Sequence, residues 1–383
     1  MKSLEQSTQR LLTWFCTDVL PLWIQNGYND HDGGFYEALN FDGSPITNRP
    51  RRVRTQARQI HSFTQAALRN WGDGAEDLAA KGFSYFVDKA CPDMAKRGCV
   101  HLIADDGTII DDHRDLYDQA FLLLACASRY QATKDAQAKK LADNTINFMD
   151  AELGSADGGW LESCQFELPR RQNPHMHLFE AFTALFNATH DERYLEYADK
   201  IHNLFRTRFY DNDHHVIREF FDNEWRLVEA AEIIEPGHML EWVSLLSAYD
   251  KCRDTNNTEL STALYEAAVG IGCDSNFFQF VDNKSKINAP DEHSAKRLWP
   301  QTEFLRASLI MGGNGDEKAE DRAAKIIDGF FDTYFDVGKT GLWNDEFDAA
   351  GKPISKDVPA SILYHIIEAV IAVDDYRTKG TTP

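Results

Sequence analysis

The sequence predicts an all-α protein in which twelve helices close into a two-layered ring, with short β-hairpins in the loops. Apolar residues recur at spacings of three and four along twelve runs, which is typical of amphipathic helices. Strands and helices do not alternate in the manner of a parallel sheet. No Pro-, Gly- or Ser-rich linker separates the runs, so we expect residues 1–383 to form a single domain.

The twelve runs differ in how their polar residues are distributed. Odd-numbered runs carry a charged face, as outer helices do, whereas even-numbered runs are apolar nearly all round with polar residues near their starts. In a ring of helical hairpins every second helix is inner, so we expect the even-numbered runs to line the ring. The runs span residues 4–26, 55–71, 75–90, 115–132, 135–152, 174–189, 191–209, 236–253, 258–274, 298–312, 316–335 and 358–376.

Short strand-like segments lie between some of the helical runs. Their Asp-Gly and Gly-Gly steps predict β-hairpins. The segment YDNDHHV at 210–216 is rich in aspartate and histidine, but it reads more naturally as a hairpin turn than as a metal site. The other segments are GGFYEALNFDGSP, GGWLESC, HVIREFFDNEWR and GLWNDEFDAAGKP.

The composition restricts the partners of the protein. Forty basic residues against 61 acidic ones give a net charge of −21, which argues against binding to nucleic acid and disfavours an acidic or phosphorylated substrate. Seven cysteines without a C-x-x-C pair indicate reduced thiols. Glu5 and Arg10 interrupt the start where a signal peptide would be apolar, and the longest apolar run, AFLLLACA, cannot span a membrane. We therefore expect a cytoplasmic protein; its oligomeric state is not indicated.

Polar side chains stand near the starts of the even-numbered runs. The second run places Arg58 and His61 on one face. Tyr117 lies in the first turn of the fourth run. The sixth run places Asn173 at a cap position, with His177 four residues later.

The remaining three even-numbered runs continue this pattern. In the eighth, EPGHMLEW, a Pro-Gly turn leads directly into His238 and Glu241. The tenth contributes Trp299, Gln301 and Glu303, and the twelfth carries His365 among apolar residues.

Each of these residues has an ordinary structural explanation when it is taken alone. Asn173 could be a plain helix cap, and Glu241 and Glu303 could favour a helix dipole. A lone His365 could be a hydrogen-bonded core histidine. Taken together, an inner ring would direct all six helix starts at one pocket. Aromatic faces that stack on sugar C–H groups, beside several hydrogen-bonding groups, suit a neutral polyol.

Proton transfer is the chemistry that this set of residues favours. Histidine titrates near neutrality and can serve as base and as acid. Glu241 lies three residues after His238, so we expect it to orient that imidazole and stabilise its charged form. Removal of a proton next to a carbonyl also needs a donor for the enolate oxygen, which Arg58, Tyr117 or the second histidine could provide.

Six motifs in order along the chain resemble the N-acylglucosamine 2-epimerase superfamily, and most closely its mannose isomerase branch. The motifs are QARQIHSF, LYDQAF, NPHMHLFEAF, EPGHMLEW, LWPQTE and LYHIIEA. The resemblance covers essentially the whole chain and implies an (α/α)6 barrel that acts on a neutral monosaccharide without a metal or other cofactor. No phosphate-binding loop is present, so nucleotide dependence is not expected.

The resemblance also implies roles for individual residues. It makes His238 and His365 the catalytic pair. The implied reaction interconverts free D-mannose and D-fructose, and also lyxose and xylulose, through a cis-enediol. One histidine moves the C2 proton to C1 on one face, with His365 preferred, and the other assists ring opening and proton exchange between O1 and O2. The substrate-binding positions implied are Arg58, Tyr117, Asn173, His177, Glu241, Trp299, Gln301 and Glu303.

Three alternatives remain open at this stage. A D-mannose/D-glucose 2-epimerase would use two histidines on opposite faces of C2. A glycoside hydrolase on the same type of barrel would need two carboxylates, with candidates in Asp111, Asp112, Asp118, Glu241 and Glu303. A metal site could combine His238 and Glu241 with a distant histidine, although there is no H-E-x-x-H motif.

Overall fold

The computed structural model describes residues 3–228, 232–275, 277–278, 280–287 and 293–380, without the side chains of residues 379 and 380. A π-helical turn, Phe15–Val19, joins the first two helical segments into one rod, so the described residues contain twelve rods. The segments are α1 Leu4–Trp14, α2 Leu20–Asn26, α3 Val53–Leu68, α4 Ala75–Ala90, α5 Leu116–Thr133, α6 Ala136–Phe148, α7 Gln172–Thr189, α8 Glu192–Leu204, α9 Pro236–Arg253, α10 Thr258–Gly272, α11 Leu298–Gly313, α12 Glu317–Asp332 and α13 Leu363–Gly380.

Six helices form a closed inner ring. In order these are α3, α5, α7, α9, α11 and α13; each packs against the next, and α13 packs back against α3. Each inner helix also contacts an outer one, in the pairs α3–α4, α5–α6, α7–α8, α9–α10, α11–α12 and α13–α1. The inner helices are the even-numbered runs of the sequence, so the prediction of a two-layered (α/α)6 ring is confirmed.

The two layers differ in composition because of their different surroundings. Residues 236–246 of α9 are all buried between the ring interior and the outer layer, so this helix is apolar almost all round. The outer helix α12 buries only one face, which includes Ala323, Ile327 and Phe330, and exposes its charges. Among the described helices, none is apolar over a length that could cross a membrane.

Two kinds of helix start occur. The outer helices α6, α8 and α12 start with aspartate caps, Asp135, Asp191 and Asp316, whose carboxylates accept backbone N–H groups. Asp115 caps the inner helix α5 in the same way. Several inner helices instead follow directly on a two-residue strand, which fixes the direction in which the chain enters the ring. The polar residues at these starts are therefore held at one end of the ring.

The strands pair in an antiparallel manner, mostly between distant loops. The predicted hairpin at 210–216 is confirmed, but most strands of the other predicted hairpins pair elsewhere, because they anchor the starts of inner helices. Tight turns with single bridges, such as Leu39–Pro45 and Phe347–Pro353, are present at these places. The pairs are β1 Ala38–Leu39 with β13 Val358–Pro359, β2 Arg51–Arg52 with β3 Leu102–Ile103, β3 with β4 Ile109–Asp111, β5 Arg170–Arg171 with β8 Phe220–Phe221, β6 Tyr210–Asp211 with β7 Val216–Ile217, β9 Ile233–Ile234 with β10 Ser285–Lys286, and β11 Lys296–Arg297 with β12 Glu346–Phe347.

Candidate active site

The starts of the six inner helices surround a cavity of about 400 Å³. This volume is within the usual range of small-molecule sites. Every inner helix contributes at least one side chain or an adjoining residue to the lining. Eight of the ten residues predicted from the sequence line the cavity: Arg58, Tyr117, Asn173, His177, His238, Glu241, Trp299 and His365.

Gln301 does not line the cavity, which corrects the expectation that it binds substrate. Its side chain is buried and bonds both backbone groups of Val281, with Nε2 donating to the carbonyl and Oε1 accepting the N–H, each at 2.8 Å. Gln56 and Gln119 bind Phe35 and Cys99 in the same way. These glutamines hold a loop against an inner helix, so Gln301 is a structural anchor.

Glu303 lies behind His365 and does not line the cavity itself. Its Oε1 is 2.8 Å from His365 Nδ1, and its Oε2 accepts a hydrogen bond of 2.6 Å from Arg306 Nη1. The carboxylate of Glu303 thus accepts hydrogen bonds from both Arg306 and His365. The ring proton of His365 is therefore on Nδ1, and Nε2 is left as a free base. Burial lowers the pKa of His365 well below its ordinary value, and the nearby Arg58 and His177 lower it further.

His238 has the opposite protonation. Its Nδ1 is 3.0 Å from Glu219 Oε1 and 3.5 Å from Glu235 Oε2. Burial disfavours the charged ring, but the carboxylates of Glu219 and Glu235 outweigh burial and raise the pKa of His238 to about 10. The ring is therefore an imidazolium near neutral pH. With Nδ1–H bonded to Glu219, the Nε2–H is the proton that it can give to a ligand.

The expectation that Glu241 orients His238 is not met. Side chains in a helix lean towards its N-terminus. His238, near the start of α9, therefore contacts Glu219 and Glu235, which precede this helix. Glu241 lies about one turn later, and its side chain reaches the interior of the ring. There its Oε1 is 3.8 Å from His177 Nδ1 and has no hydrogen-bond partner among the described residues. Burial, with Glu303 nearby, raises the pKa of Glu241 well above its ordinary value. The shift favours the neutral carboxyl group, the form that can donate a hydrogen bond to a ligand.

Asn173 is not a helix cap, contrary to expectation. Helix α7 begins one residue earlier, at Gln172, and Arg171 occupies the N-cap position. Asn173 therefore lies in the first turn, where its side chain lines the cavity. Its Oδ1 is buried and has no hydrogen-bond partner within the described part of the chain. An unpaired acceptor in this position is available to a sugar hydroxyl.

His175 and His177 face different directions, as their spacing predicted. His175 Nε2 accepts the backbone N–H of Trp160 at 3.1 Å, outside the cavity. His177 lines the cavity, with Nδ1 3.1 Å from Glu180 Oε2 and Nε2 3.4 Å from the Tyr117 hydroxyl. Burial lowers the pKa of His177, although Glu180 opposes this change. His177 is a neutral hydrogen-bonding group of the wall.

One wall of the cavity combines aromatic rings with an arginine. The ring of Trp299 has its centroid 5.2 Å from that of His238 and 5.5 Å from that of His365, so it adjoins both histidines. Arg58 Nη2 donates to the Tyr117 hydroxyl at 2.7 Å. The Nε of Arg58 is buried without a partner among the described residues. The wall thus offers a hydrogen-bond donor and a ring for sugar C–H groups, and the ring adjoins both histidines.

Sequence reasoning missed a set of arginines at the mouth of the cavity. Three of them occupy the N-cap positions of alternate inner helices, directly before α3, α7 and α11. The signal in the sequence is the basic dipeptide, RR, RR or KR, ahead of each of these helices. Behind each arginine a carboxylate accepts its Nε–H, in the pairs Arg52–Glu37, Arg171–Glu162 and Arg297–Asp345.

Sequence reasoning also missed the carboxylates that set the charges of the histidines. Glu180 was visible as the third residue after His177 on the same helix, and Glu235 begins the EPGH motif. Glu219 lies in a loop directly before β8, and the pairing of β5 with β8 brings it to the start of α7, where its backbone carbonyl accepts the Gln172 N–H. No local pattern announces such a long-range partner.

Within the described part of the chain, two groups of side chains have the atoms to hold a metal ion. They are His177–Glu180–Glu241 and Glu241–Glu303–His365, and the possible ligand atoms of each group lie within 4.8 Å of one another. In each group the histidine Nδ1 is already bonded to a glutamate, Glu180 or Glu303. A cation would have to displace the proton of that hydrogen bond.

Comparison with known proteins shows extensive similarity to sugar isomerases and epimerases. The N-acylglucosamine 2-epimerase (GlcNAc 2-epimerase) family matches residues 34–369. A mannose-6-phosphate isomerase of Rhizobium meliloti (strain 1021) is 32% identical, over 95% of this chain and 96% of the relative. A D-mannose isomerase of Thermobifida fusca is 27% identical, over 85% and 84%. A cellobiose 2-epimerase of Dictyoglomus turgidum (strain DSM 6724 / Z-1310) is 24% identical, over 62% and 64%.

Solved structures of related enzymes have the same fold. A cellobiose 2-epimerase from Spirochaeta thermophila DSM 6192 superimposes with a TM-score of 0.88 at 21% identity, over 99% of this chain and 98% of that structure. A D-mannose isomerase superimposes with a TM-score of 0.82 at 22% identity, over 98% and 97%. At such identities the similarity supports the fold alone.

Proposed function

Because the chain belongs to the N-acylglucosamine 2-epimerase family and is a sugar isomerase or epimerase, we propose that it interconverts free D-mannose and D-fructose at this cavity. The observation that carries the proposal is the contrast between the surroundings of the two histidines beside Trp299: His365 bonds one carboxylate that an arginine shares, whereas His238 lies beside two carboxylates. His365 presents a free base, and His238 presents an acidic N–H. An aldose–ketose isomerase needs one group of each kind.

The proposed reaction starts from the open-chain aldose. His365 Nε2 takes the proton from C2, and the electron pair of the broken C–H bond forms the C1=C2 double bond. The carbonyl oxygen O1 takes a proton from His238, which gives a neutral cis-enediol. In the second half, O2–H returns its proton to His238 as the C2 carbonyl forms, and His365 gives its proton to C1. Both histidines end in their starting states.

The other cavity residues support this transfer by holding the oxygens. Arg58 and Tyr117 form one hydrogen-bonded unit, and the unpaired Nε–H of Arg58 is available to an oxygen that carries developing charge. The neutral carboxyl of Glu241 is a further donor. Asn173 Oδ1 is a free acceptor for a hydroxyl proton. These groups orient the sugar in the same frame as the two histidines.

A 2-epimerase is the alternative that starts from the same protonation states. There His365 would take the C2 proton from one face and His238 would deliver one to the other. Isomerisation is favoured because the relatives at 32% and 27% identity are named isomerases, whereas the named epimerase is at 24% over a shorter match.

Incubation with mannose in deuterium oxide distinguishes the two reactions. We expect fructose that carries deuterium at C1. Glucose with deuterium at C2 would instead identify an epimerase. No product from any free aldose or its phosphate would contradict both. Exhaustive chelation should leave turnover unchanged, because both metal-competent groups bind their histidine protons internally.

Mannose 6-phosphate is a second candidate substrate, favoured by the arginines at the mouth. In Arg52, Arg171 and Arg297 the carboxylate partners bind Nε and Nη2, and Nη1 has no partner among the described residues. Three oriented N–H groups of this kind could bind a phosphate. The 32% identical relative is named for this substrate. The carboxylates compensate each arginine charge, so free mannose remains the first proposal.

Kinetics with both sugars decides between these substrates. We expect a higher kcat/KM for mannose than for its 6-phosphate. If the phosphate is preferred by about tenfold or more, and Arg171→Met removes that preference, the substrate is phosphorylated. The exposed Arg226, which pairs with Asp222 in a loop, provides a matched arginine for a control substitution.

A further inference from the structure

A row of charged side chains runs from His365 away from the cavity, through the inside of the ring. Glu303 binds His365 with Oε1 and Arg306 with Oε2. Arg306 Nη2 is 3.3 Å from Glu368 Oε2. Glu368 Oε1 is 2.9 Å from Nε2 of His61, a residue that the sequence had placed on the face of Arg58. Carboxylates alternate with nitrogen-bearing side chains along this row, which reaches the opposite end of the ring.

The far end of this row reaches a second, smaller cavity of about 190 Å³. His61, Glu180, Arg306 and Glu368 are among its lining residues, and none of the four lines the active cavity. Arg306 itself is buried, with only 8% of its surface exposed. The guanidinium therefore lies on the far side of Glu303 from the substrate and does not contact the sugar.

We infer that Arg306 is a positioning residue for the base His365, acting through Glu303, and that Glu368 and His61 hold Arg306 in place. The inference rests on the proposed role of His365. A buried carboxylate without its cation is costly and takes up a proton instead. A protonated Glu303 no longer needs to accept the Nδ1–H of His365. The imidazole proton can then move to Nε2, which removes the base from the cavity.

The surroundings of Glu303 make its charge sensitive to Arg306. Burial raises the pKa of Glu303 to about 7, while the Arg306 guanidinium lowers it. The carboxylates of Glu180 on α7 and Glu368 on α13 add to the rise, and Glu241 on α9 faces the same group. His365 is a further titratable neighbour. Arg306 is thus the cation that opposes these carboxylates, and its loss leaves Glu303 protonated at neutral pH.

The first experiment replaces Arg306 by methionine and measures kcat/KM against pH. We expect kcat at neutral pH to fall by about tenfold or more while KM changes by less than about threefold, because the sugar is not contacted. The acid limb should move up by about one pH unit or more, so that activity recovers in alkali. Arg306→Lys, which keeps the cation, should return the limb towards its original position.

Arg129 provides the matched control. It is equally buried, at 5% exposed, and pairs with Glu76 through both terminal nitrogens, at 2.9 and 2.8 Å, outside the active cavity. Arg129→Met removes a buried arginine of the same kind, and its pH profile should match that of the wild type. An unchanged acid limb in Arg306→Met, or an equal movement in Arg129→Met, would overturn the inference.

A second measurement separates the inference from the proposed function. Nitrogen NMR of isotope-labelled histidine reports the tautomer of His365 without substrate, with His365→Gln identifying the signal. We expect the Nδ1–H tautomer in the wild type and a shift towards Nε2–H in Arg306→Met, and a smaller shift in Glu368→Gln if Arg306→Met does not fold. Failure to turn over any sugar would contradict the proposed function, whereas an unmoved tautomer in the folded variants contradicts the inference.

Discussion

At the scale of single residues, the neighbours of the two histidines decide their roles. His365 has one carboxylate, Glu303, which it shares with Arg306, so the ring stays neutral. His238 has two carboxylates, Glu219 and Glu235, with no arginine among the described residues bonded to either, so the ring stays charged. The same residue type thus becomes a base at one position and an acid at the other. The difference comes from how many charges surround each ring.

These protonation states predict a bell-shaped dependence of kcat/KM on pH. As pH falls through about 7, Glu303 gains a proton and stops fixing the Nδ1–H tautomer of His365, so activity falls. As pH rises through about 10, His238 loses the proton that it must donate, so activity falls again. A profile from about pH 5 to about 11 on mannose checks both limbs. A single limb with no fall in alkali would contradict the acidic role of His238.

Removal of the main partner of His238 should move only the alkaline limb. Glu219→Gln removes one of two negative charges, so we expect the pKa of His238 to fall and the limb to move down by about one unit or more. Glu224, largely exposed in the same loop, is the matched control because its carboxylate pairs with Arg226 and does not line the cavity. Its change to glutamine should leave both limbs in place. Movement of the acid limb in Glu219→Gln would contradict the assignment.

At the scale of secondary-structure elements, the sequence predicted the helices but not the contacts that hold the ends of these helices. The apolar spacing located all twelve rods because each buries a face, and that periodicity is local. Pairing of β1 with β13 joins segments from opposite ends of the chain, which no local pattern shows. Gln301 was predicted to bind substrate for the same reason. A side-chain amide near the start of an inner helix can face either the cavity or the loop behind it, and no local pattern distinguishes the two.

The anchoring role of Gln301 gives a prediction about stability. Gln301→Leu leaves the buried N–H and carbonyl of Val281 unpaired, so we expect the free energy of unfolding to fall by about 2 kcal/mol or more. Substrate KM should change little, because the side chain does not line the cavity. Urea unfolding measures the first effect, with the exposed Gln137→Leu as control. A raised KM with unchanged stability would mean that Gln301 contacts the sugar.

At the scale of the whole molecule, the net charge of the chain does not describe the charged residues around the cavity. The chain carries −21, yet five arginines and the starts of six inner helices meet at the cavity. Asp115, Glu235 and Glu241 also line the cavity, while most of the other acidic residues lie elsewhere, some of them behind these arginines as partners. Overall charge therefore argued correctly against a nucleic-acid surface but could not describe the local environment of a ligand. The family and the fold were predictable, whereas this local arrangement was not.

Closure of the ring joins the two ends of the chain. Helix α1 packs on both α12 and α13. The Ser7 hydroxyl donates to Asp328 at 2.9 Å, and Arg377 Nη1 donates to the Glu5 carbonyl at 3.0 Å. An opened ring would expose the apolar surfaces of α12 and α13. We therefore propose that residues 1–383 unfold as one unit, as a single domain would.

Trp14 tests this proposal, because it lies at the closure. Its ring stacks on Phe335 at 3.9 Å between centroids and meets Phe331 edge-on at 5.9 Å. Trp14→Ala should lower the free energy of unfolding by about 3–5 kcal/mol, and activity, fluorescence and circular dichroism should be lost in one transition at lower urea. Leu168→Ala, at an exposed position, should leave the midpoint unchanged. If α1 melted first in Trp14→Ala while turnover persisted, the ring would contain more than one cooperative unit.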